Sequence, residues 1–376
     1  MRILVVCTTD SMISSFLVPY IKELEKDGNY VECACSVTGK YFKELQEQYG
    51  IKMNEIGFKR SPLKLENLKA YNRLNKLIKE KKFDTIFCHE PVGGAIGRLA
   101  GHKCKCKVIY MVHGFHFFRG ASIFRWGVFY PIEKYLSKYT DNLITINKED
   151  YELARKKFKK CKNVVYVPGV GIDIKKFDID ITNEEKESFK LSLGLKKDDY
   201  VLTYIARLDK NKNQIMAISI IEKLKDKYDN IKLLLVGPDE LDGYYQKEVK
   251  EKGLEDKIYF LGYRSDIVQL LKITDIAIST SKREGLPVNV LEAMCTGIPI
   301  VVTNSRGNRD LINEGKNGYI ASNEDDFTKK IIEIKENKKI YESMSKENLK
   351  YREKYKIETI VEKIKKIVED RSSENK

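Results

Sequence analysis

The sequence predicts an α/β protein made of two doubly wound, Rossmann-like domains that face each other across a cleft. Short apolar runs alternate with amphipathic segments of helical length, and the alternation starts again after a polar interval near the middle of the chain. Apolar runs bounded by turn residues are typical of buried parallel strands. The length of 376 residues fits two domains of roughly 100 to 200 residues each.

The first predicted domain covers residues 1–168. Its strands are predicted at Ile3–Cys7, Tyr30–Ser36, Thr85–Cys88, Val108–Val112, Leu143–Ile146 and Val164–Val167. Its helices are predicted at Phe16–Glu25, Leu65–Lys79, Phe129–Leu136 and Glu149–Phe158. The run Pro168-Gly169-Val170-Gly171 then breaks the pattern, so we expect the domain junction there.

The second predicted domain covers residues 169–355, and its alternation of strands and helices begins after a charged interval from Asp173 to Asp199. Its strands are predicted at Val201–Ala206, Lys232–Val236, Ile258–Leu261, Ile276–Ser279 and Ile300–Thr303. Its helices are predicted at Gln214–Lys225, Tyr244–Lys252, Val288–Cys295 and Phe327–Lys335. The last segment, 356–376, carries an apolar stripe at helical spacing and needs a surface to bury it.

The charge of the protein is concentrated in its first half. The net charge is +14, and residues 1–180 contribute most of it, with 32 Lys and Arg against 20 Asp and Glu. The density is highest from Arg98 to Lys138, where eight cations are opposed only by Glu133. Such a field suits nucleic acid, anionic lipid or a phosphorylated substrate. A composition of 42% hydrophobic and 33% charged residues excludes a disordered or collagen-like chain.

Cysteine usage and hydropathy indicate a cytoplasmic protein. No apolar run approaches the roughly 18 residues of a spanning helix, and the apolar start of the chain is too short for a signal peptide. The eight cysteines lie mostly within apolar runs, which favours reduced thiols. The run His102-Lys103-Cys104-Lys105-Cys106 lacks a second ligand pair at zinc spacing, so we expect no metal site.

Loops that follow parallel strands are where such sheets bind ligands. Arg207 ends one predicted strand, and Lys212 stands just before the next helix. Two cations converging there suit a diphosphate, although an arginine and a lysine at this spacing are also common in ordinary polar loops. Alone, this motif does not decide between the two interpretations.

A second strand-end motif runs from Glu284 through Gly285, Leu286 and Pro287 to Glu292. Gly285 permits close backbone approach, and Pro287 suits the start of a helix whose free N–H groups favour an anion. Glu292 falls inside that helix, where a carboxylate suits a pair of vicinal hydroxyls. The alternative is a capped surface helix with two solvated glutamates.

Two further strand ends carry candidate binding residues. Tyr263 and Arg264 follow the strand Ile258–Leu261 and offer groups for a nucleotide base, with a simple turn as the alternative. His113 ends the strand Val108–Val112 and begins the run His113-Gly114-Phe115-His116-Phe117. A histidine at this position faces the ligand edge of the sheet, although packed histidines are common.

Taken together, these residues resemble glycosyltransferase family 4, the retaining nucleotide-sugar enzymes of GT-B fold. The matching residues are Arg207 with Lys212, Glu284-Gly285-Leu286-Pro287 with Glu292-Ala293, Gly297-Ile298-Pro299-Ile300-Val301 and Asn317-Gly318-Tyr319. The first domain resembles the bacterial exopolysaccharide and capsule subgroup, through the run that begins at His113 and the run Asp141-Asn142-Leu143-Ile144-Thr145-Ile146-Asn147. It departs from the family after the first strand, where Thr8, Thr9, Asp10 and Ser11 replace a glycine pair.

The resemblance implies sugar transfer with retention from a nucleotide diphosphate sugar, with a UDP-linked donor favoured and no metal required. It implies that Arg207 and Lys212 neutralise the leaving diphosphate, that Glu284 contacts the donor sugar and that Glu292 contacts the ribose. It further implies that His113 completes the site and that segment 356–376 packs back on the first domain. The expected acceptor is a membrane-borne polyprenyl-diphosphate glycan, approached from the inner face of the membrane.

Two alternatives remain open at this point. A GT-B relative that hydrolyses or epimerises its nucleotide-sugar has the same motifs and turns over without acceptor. A nucleic-acid-binding protein would use the basic first half, but its aromatic residues stand in one cluster and are not strung along a basic groove.

Overall fold

A computed structural model describes residues 1–39, 41–62 and 64–370. These residues form two compact units. The first consists of Met1–Gly171 with the described part of Ile357–Lys376, and the second consists of Ile172–Lys356. Residues 371–376 of the predicted C-terminal segment lie outside the described part of the chain. The prediction of two α/β units with parallel sheets is confirmed.

The first unit alternates strands and helices from its first residues. Its strands are β1 (Arg2–Thr9), β2 (Tyr30–Ser36), β3 (Lys52–Glu55), β4 (Thr85–His89), β5 (Lys107–Val112), β6 (Asn142–Thr145) and β7 (Asn163–Tyr166). Its helices up to this point are α1 (Asp10–Met12), α2 (Val18–Lys26), α3 (Tyr41–Glu47), α4 (Glu66–Lys81), α5 (Pro91–Lys103), α6 (Ile123–Leu136) and α7 (Lys148–Lys157). A π-helical turn, Ile13–Leu17, joins α1 to α2.

The strands of the first unit pair in parallel in the order β3-β2-β1-β4-β5-β6-β7. Chain order reverses between β1 and β4, which are neighbours although two strands separate them in sequence. Doubly wound sheets bind ligands outside the carboxyl ends of the strands at such a reversal. The residues after β1 and β4 therefore occupy the ligand-binding position of this sheet.

The second unit repeats this arrangement. Its strands are β8 (Tyr200–Ile205), β9 (Ile231–Val236), β10 (Ile258–Gly262), β11 (Ile276–Ser279), β12 (Ile300–Thr303) and β13 (Gly318–Ala321). Its helices are α8 (Asn183–Ser192), α9 (Gln214–Leu224), α10 (Tyr244–Glu251), α11 (Ile267–Lys272), α12 (Val288–Cys295), α13 (Arg306–Leu311), α14 (Glu324–Glu336) and α15 (Lys338–Tyr351). The sheet order is β10-β9-β8-β11-β12-β13, all parallel, with the reversal between β8 and β11.

The structure adds elements that the sequence analysis did not predict. Strands β3 and β13 lie at sheet edges, and helix α8 lies within the interval described as polar and charged. The residues from Thr8 to Ser11, which stand where the family has a glycine pair, form no loop: β1 continues to Thr9 and a helix begins directly at Asp10. The carboxylate of Asp10 is buried and accepts from the backbone of Ser11, Thr38 and Phe42.

Helix α5 was not predicted because glycines dilute its apolar pattern. A Cβ on Gly93 would lie 2.8 Å from the Thr8 nitrogen, and a Cβ on Gly94 would lie 2.3 Å from the Tyr110 ring. A Cβ on Gly101 would likewise meet a Val108 methyl at 2.7 Å. These glycines let the helix pack directly on the sheet beneath it, at a distance that no other residue permits.

The last helix, α16 (Ile357–Glu369), returns to the first unit and packs against α2. It buries Ile360, Val361, Ile364 and Val368. The ammonium of Lys107, at the start of β5, donates to the carbonyls of Ile367 and Val368 at 3.1 Å and also to that of Asp370. A buried cation thus satisfies carbonyls at the helix C-terminus that have no partner within the helix.

The basic segment 98–138 is less of a free positive surface than its composition indicates. Arg98 is buried, pairs with Glu133 at 2.8 Å and lies over the Tyr110 ring, while Lys107 is committed to α16. The expectation of eight cations facing one carboxylate is corrected to six exposed or partly exposed cations. None of the helices in the described residues is both long and apolar enough to cross a membrane. All eight cysteines are free thiols.

Candidate active site

The reversal between β8 and β11 brings together two motifs that lie about 70 residues apart in sequence. The backbone N–H of Lys282 donates to the Asn211 carbonyl at 2.8 Å, and the Asn211 amide donates to the Arg283 carbonyl at 3.1 Å. The hydroxyl of Thr280 donates to the Lys212 carbonyl at 3.0 Å. The loop after β8 and the loop after β11 are therefore tied into one structure.

Lys212 and Glu284 form an ion pair across this junction. Their side chains approach to 2.6 Å and are only 18% and 11% exposed. The Arg306 guanidinium adds a hydrogen bond of 2.9 Å to the backbone carbonyl of Glu284. A ligand that reaches the Lys212 ammonium therefore also reaches the Glu284 carboxylate.

Arg207 lies beside this pair in sequence but takes different partners. Its guanidinium is 57% exposed and contacts Glu240 at 2.9 Å and Asp209 at 3.4 Å. Asp209 also accepts the backbone N–H of Lys212 at 2.7 Å, which shapes the loop. Because both partners of the Arg207–Glu240 pair are exposed, this pair stabilises the protein little and an anionic ligand can replace it.

Glu240 was missed by the sequence analysis, although its surroundings carry a signal. It follows β9 in the run Gly237-Pro238-Asp239-Glu240, which begins at a strand end. Gly237 has a φ of 152°, and a Cβ there would lie 2.2 Å from the Ala206 carbonyl. The glycine thus allows the β9 loop to lie against the backbone that leads to Arg207.

Helix α12 begins at this same edge of the sheet. Pro287 stands at its N-cap and Leu286 is buried before it. The Asn289 amide in its first turn donates to the Ile205 carbonyl at 2.9 Å, which ties the helix to the end of β8. Its first N–H groups and positive dipole end lie beside the Lys212 loop, an arrangement that favours an anion.

The turn before α12 lies close to helix α13 at Gly285. A Cβ on Gly307 in α13 would lie 2.6 Å from the Gly285 carbonyl, so both backbones approach closely. Neither the Gly307 contact nor Arg306 was predicted from the sequence. The glycine pair keeps the turn before α12 in contact with α13.

Glu292 lies on α12 in surroundings that disfavour its charge. Burial raises the pKa of its carboxyl from the ordinary 4.5 to about 7, and Lys176 only partly opposes this. At neutral pH the group is therefore divided between its protonated and ionised forms. A carboxyl held this far from its ordinary pKa is typical of a binding or catalytic site.

Tyr263 and Arg264 were also predicted as binding residues, but the structure places them away from Lys212 and Glu284. They follow β10, which is two strands from β8 at the sheet edge. The Tyr263 side chain is 80% exposed, and Arg264 pairs with Asp266, its Nε atom donating at 2.8 Å. Their role as contacts of the base stays a prediction.

In the first unit the reversal between β1 and β4 holds a carboxylate of the protein itself. The backbone N–H groups of Thr8 and Thr9 donate to one oxygen of Glu90 at 2.8 and 3.1 Å. Glu90 has a φ of 61°, which is strained for a residue with a side chain. Burial raises the pKa of its carboxyl, and the two amide donors oppose that rise.

His113 follows β5 and pairs with His89 at the end of β4. The His89 Nδ1 and His113 Nε2 atoms are 3.3 Å apart. Burial lowers the pKa of His113 to about 4 and holds that of His89 well below its ordinary value, so both rings are neutral at pH 7. The His89 Nε2 atom is buried without a hydrogen-bond partner among the described residues.

This orphaned atom indicates which tautomer the pair adopts. A buried N–H without an acceptor costs more than a buried lone pair, so Nε2 of His89 is unprotonated and its Nδ1 donates to His113. His113 then accepts at Nε2 and carries its proton on Nδ1. His89 directly follows the predicted strand Thr85–Cys88 in the sequence, but its contact with His113 depends on the pairing of β4 with β5.

The described part of the chain holds no side-chain cluster suited to a metal ion. There, no three His, Cys, Asp or Glu side chains group closely enough to hold a metal ion. The expectation of a metal-independent site stays a prediction, since this finding concerns side chains alone and a bound nucleotide supplies oxygens of its own.

Comparisons with known proteins agree with this architecture. The family described as Glycosyl transferases group 1 matches residues 185–351, and the family described as Glycosyl transferase 4-like matches residues 2–147. The crystal structure of Anabaena HepE in complex with UDP superposes with a TM-score of 0.81 at 19% identity, covering 98% of this chain and 99% of that one. That likeness establishes the fold.

Curated relatives are closer in sequence. EpsD of Bacillus subtilis, which carries a glycosyltransferase name, is 35% identical over 322 residues, 85% of this chain and 83% of its own. An Escherichia coli enzyme named UDP-Gal:alpha-D-GlcNAc-diphosphoundecaprenol alpha-1,3-galactosyltransferase is 30% identical over 291 residues, 73% of this chain and 72% of its own. With both family domains in order and relatives at this identity over most of their length, the chain belongs to glycosyltransferase family 4 of the GT-B fold.

Proposed function

We propose that this glycosyltransferase moves a sugar from a UDP-linked donor, with retention of configuration, to a polyprenyl-diphosphate-linked glycan during synthesis of a bacterial surface polysaccharide. The observation that carries the proposal is the Lys212–Glu284 ion pair beside the N-terminus of α12. A cation, a carboxylate and free backbone N–H groups within one turn suit a phosphorylated sugar.

The leaving group of such a transfer is a nucleoside diphosphate. Arg207 and Lys212 neutralise its developing charge together with the first N–H groups of α12, and no metal ion is required for this. Arg207 exchanges its exposed partner Glu240 for phosphate oxygens. Glu284 then contacts the donor sugar, and Glu292 accepts hydrogen bonds from the ribose hydroxyls.

The acceptor belongs to the first unit in this proposal. His113 donates from Nδ1 to the reacting sugar, and the neutral state of its ring keeps that role constant across physiological pH. The name of the Escherichia coli relative states a UDP-linked donor and a diphosphoundecaprenol acceptor, which supports this pairing of substrates. The protein then works in the cytoplasm, at the inner face of the cell membrane, toward which its basic first unit is attracted.

A nucleotide screen tests the donor assignment. UDP should raise the thermal midpoint more than GDP does, because a ligand that binds only the folded state stabilises it. Lys212→Ala should abolish most of this rise, whereas Lys210→Ala, an exposed lysine of the same loop, should preserve it. If UDP raises the thermal midpoint of both variants equally, Lys212 does not bind the nucleotide.

Product analysis tests the reaction. With a short-chain polyprenyl-diphosphate glycan and a UDP-sugar, NMR of the product should show the anomeric configuration of the donor, and EDTA should leave the rate unchanged. An inverted product, or a rate restored only by a divalent ion, contradicts the proposed mechanism. Steady turnover of the donor without acceptor would instead identify a nucleotide-sugar hydrolase.

A further inference from the structure

Helix α6 (Ile123–Leu136) is apolar on two opposite sides. On the inner side, Trp126, Phe129 and Tyr130 pack against the core of the first unit, and Leu136 is buried. The outer side exposes large hydrophobic side chains to a high degree: Ile123 90%, Phe124 73%, Val128 36%, Ile132 45% and Tyr135 55%. A helix that is hydrophobic all round is normally enclosed, but the outer side of α6 has no covering partner among the residues that the structure describes.

The outer residues form a single strip. Phe124, Val128, Ile132 and Tyr135 recur every three or four residues, so they share one side of the helix. Five of the fifteen exposed large hydrophobic residues of the described chain lie on these fourteen helical residues. Scattered apolar residues are normal on a surface, but a contiguous strip of this kind marks an interaction surface.

Cations frame the strip, and one carboxylate from outside the segment, that of Glu149, accepts the backbone N–H of Arg119 at 3.0 Å. Arg119 precedes the helix, Arg125 and Lys134 lie on it, and Lys138 follows it. Within 119–138 the acidic residue is Glu133, which is buried and paired with Arg98 at 2.8 Å. Arg119, Arg125 and Lys134 form no ion pair with any described residue, so their charge is available to a partner.

The charge identifies the kind of partner. A second copy of this chain would bring the same four cations face to face around the strip, and like charges repel. An anionic bilayer offers acyl chains to the apolar strip and phosphates to its cationic frame, and Tyr135 has the amphipathic ring that membrane interfaces favour. We propose that the outer side of α6 docks on an anionic lipid surface, with Phe124 and Ile132 entering the boundary between headgroups and acyl chains.

The inner side of the same helix connects this surface to the candidate site. A cavity of about 150 Å³ is lined by Phe129 and Glu133 of α6 together with Glu90 and His113. A docked α6 would therefore hold this cavity next to the headgroups, where the sugar of a lipid-linked acceptor lies. This step rests on the proposed function, whereas the docking itself rests on the exposed strip and its charges.

Vesicle binding tests the docking directly. The full chain is sedimented with phosphatidylcholine vesicles and with vesicles that also contain phosphatidylglycerol. The double variant Phe124→Ser/Ile132→Ser should bind the anionic vesicles at least about tenfold more weakly. Lys134→Gln should weaken binding about fivefold, the equivalent of about 1 kcal/mol per cation.

A matched control uses exposed apolar residues of the same unit that lie elsewhere. Leu65→Ser/Leu68→Ser removes two side chains that are 84% and 64% exposed and should leave vesicle binding unchanged. The fluorescence of Trp126, the single tryptophan of the chain, reports whether α6 stays packed in each variant. Equal binding by the α6 variant, the control and the wild type overturns the proposal.

Two further readouts separate this inference from the proposed function and from self-association. With a short-chain acceptor in vesicle-free solution, the Phe124→Ser/Ile132→Ser variant should transfer sugar at the wild-type rate. If the wild type transfers no sugar under these conditions, the proposed function is wrong and the docking of α6 is unaffected. A concentration-dependent dimer that Phe124→Ser/Ile132→Ser dissociates, without vesicle binding by the wild type, would assign the strip to a second copy and overturn the lipid assignment.

Discussion

Ionisation of the Glu292 carboxyl should make the second unit less stable. The loss in free energy of unfolding can be calculated from the shift in its pKa. Burial raises its pKa in the folded protein to about 7, against an ordinary 4.5. At about 1.4 kcal/mol per pH unit, this difference corresponds to about 3 kcal/mol. Because the folded state holds the proton more tightly, the stabilisation is complete below pH 4.5 and is lost as pH rises through 7.

Glu292→Gln replaces the titrating group with a neutral one of the same shape. The variant should be more stable than the wild type by about 3 kcal/mol at pH 8.5 and by less than about 1 kcal/mol at pH 5. For a unit of this size, the gain at pH 8.5 corresponds to a rise of roughly 6 to 12 °C in thermal midpoint. The assay is a thermal melt of both proteins across that pH range, with exposed Glu255→Gln as the control.

Nucleotide binding by Glu292→Gln gives a second test, in which the variant should be weaker than the wild type although it is more stable. In the proposed function the ribose hydroxyls donate to the ionised carboxylate, so UDP binding to the wild type should strengthen from pH 6 to pH 8. The Glu292→Gln variant should bind UDP more weakly at pH 8 and without this dependence. A stability gain that is the same at pH 5 and pH 8.5, or a gain shared by Glu255→Gln, refutes the reasoning from burial.

Other consequences concern the ion pair, the returning helix and the histidines. Lys212→Ala should lower stability and transfer, and adding Glu284→Ala should restore about 1 to 3 kcal/mol of the stability, because a buried carboxylate without its cation is costly; additive losses in a double-mutant cycle contradict the contact. Lys107→Met should destabilise the first unit by about 1 to 2 kcal/mol and speed amide exchange in α16, since three carbonyls lose their donor; protection equal to the wild type argues against it. His113, with a pKa of about 4, should contribute no ionisation to kcat/KM between pH 6 and 8, and a transition near pH 6.5 that disappears in His113→Asn would show that its ring is not desolvated.

The sequence predicted strands best where both faces of the sheet are covered. The bounds of β2, β11 and β12 agree with the apolar runs Tyr30–Ser36, Ile276–Ser279 and Ile300–Thr303. The missed strands, β3 (Lys52–Glu55) and β13 (Gly318–Ala321), both lie at sheet edges, although the other two edge strands, β7 and β10, carry apolar runs and were predicted. The missed strands are defined by the neighbour to which they pair, and that neighbour is not visible in a local pattern.

In the candidate site too, some features can be located from the sequence and others depend on how the chain folds. Strand ends can be located from sequence, so Arg207, Lys212 and Glu284 were identified with the correct elements. Their partners depend on strand order, since Glu240 reaches Arg207 only because β9 lies next to β8. The shifted pKa of Glu292 depends on burial that arises when α12 packs, and no pattern of residue types along the chain contains that quantity.

The two sheet reversals differ in what their backbone amides bind, and this difference supports the direction of the proposed reaction. At the reversal of the second unit, free helical N–H groups of α12 lie with Lys212 beside the ends of β8 and β11. At the sheet reversal of the first unit, the N–H groups of Thr8 and Thr9 already donate to the Glu90 carboxylate at 2.8 and 3.1 Å. A second anion there would meet a buried carboxyl group in place of open donors, at a cost that increases with the charge it carries. In the proposed reaction, this difference favours the leaving diphosphate at the second unit and leaves the first unit to the acceptor, whose reacting group is an uncharged hydroxyl.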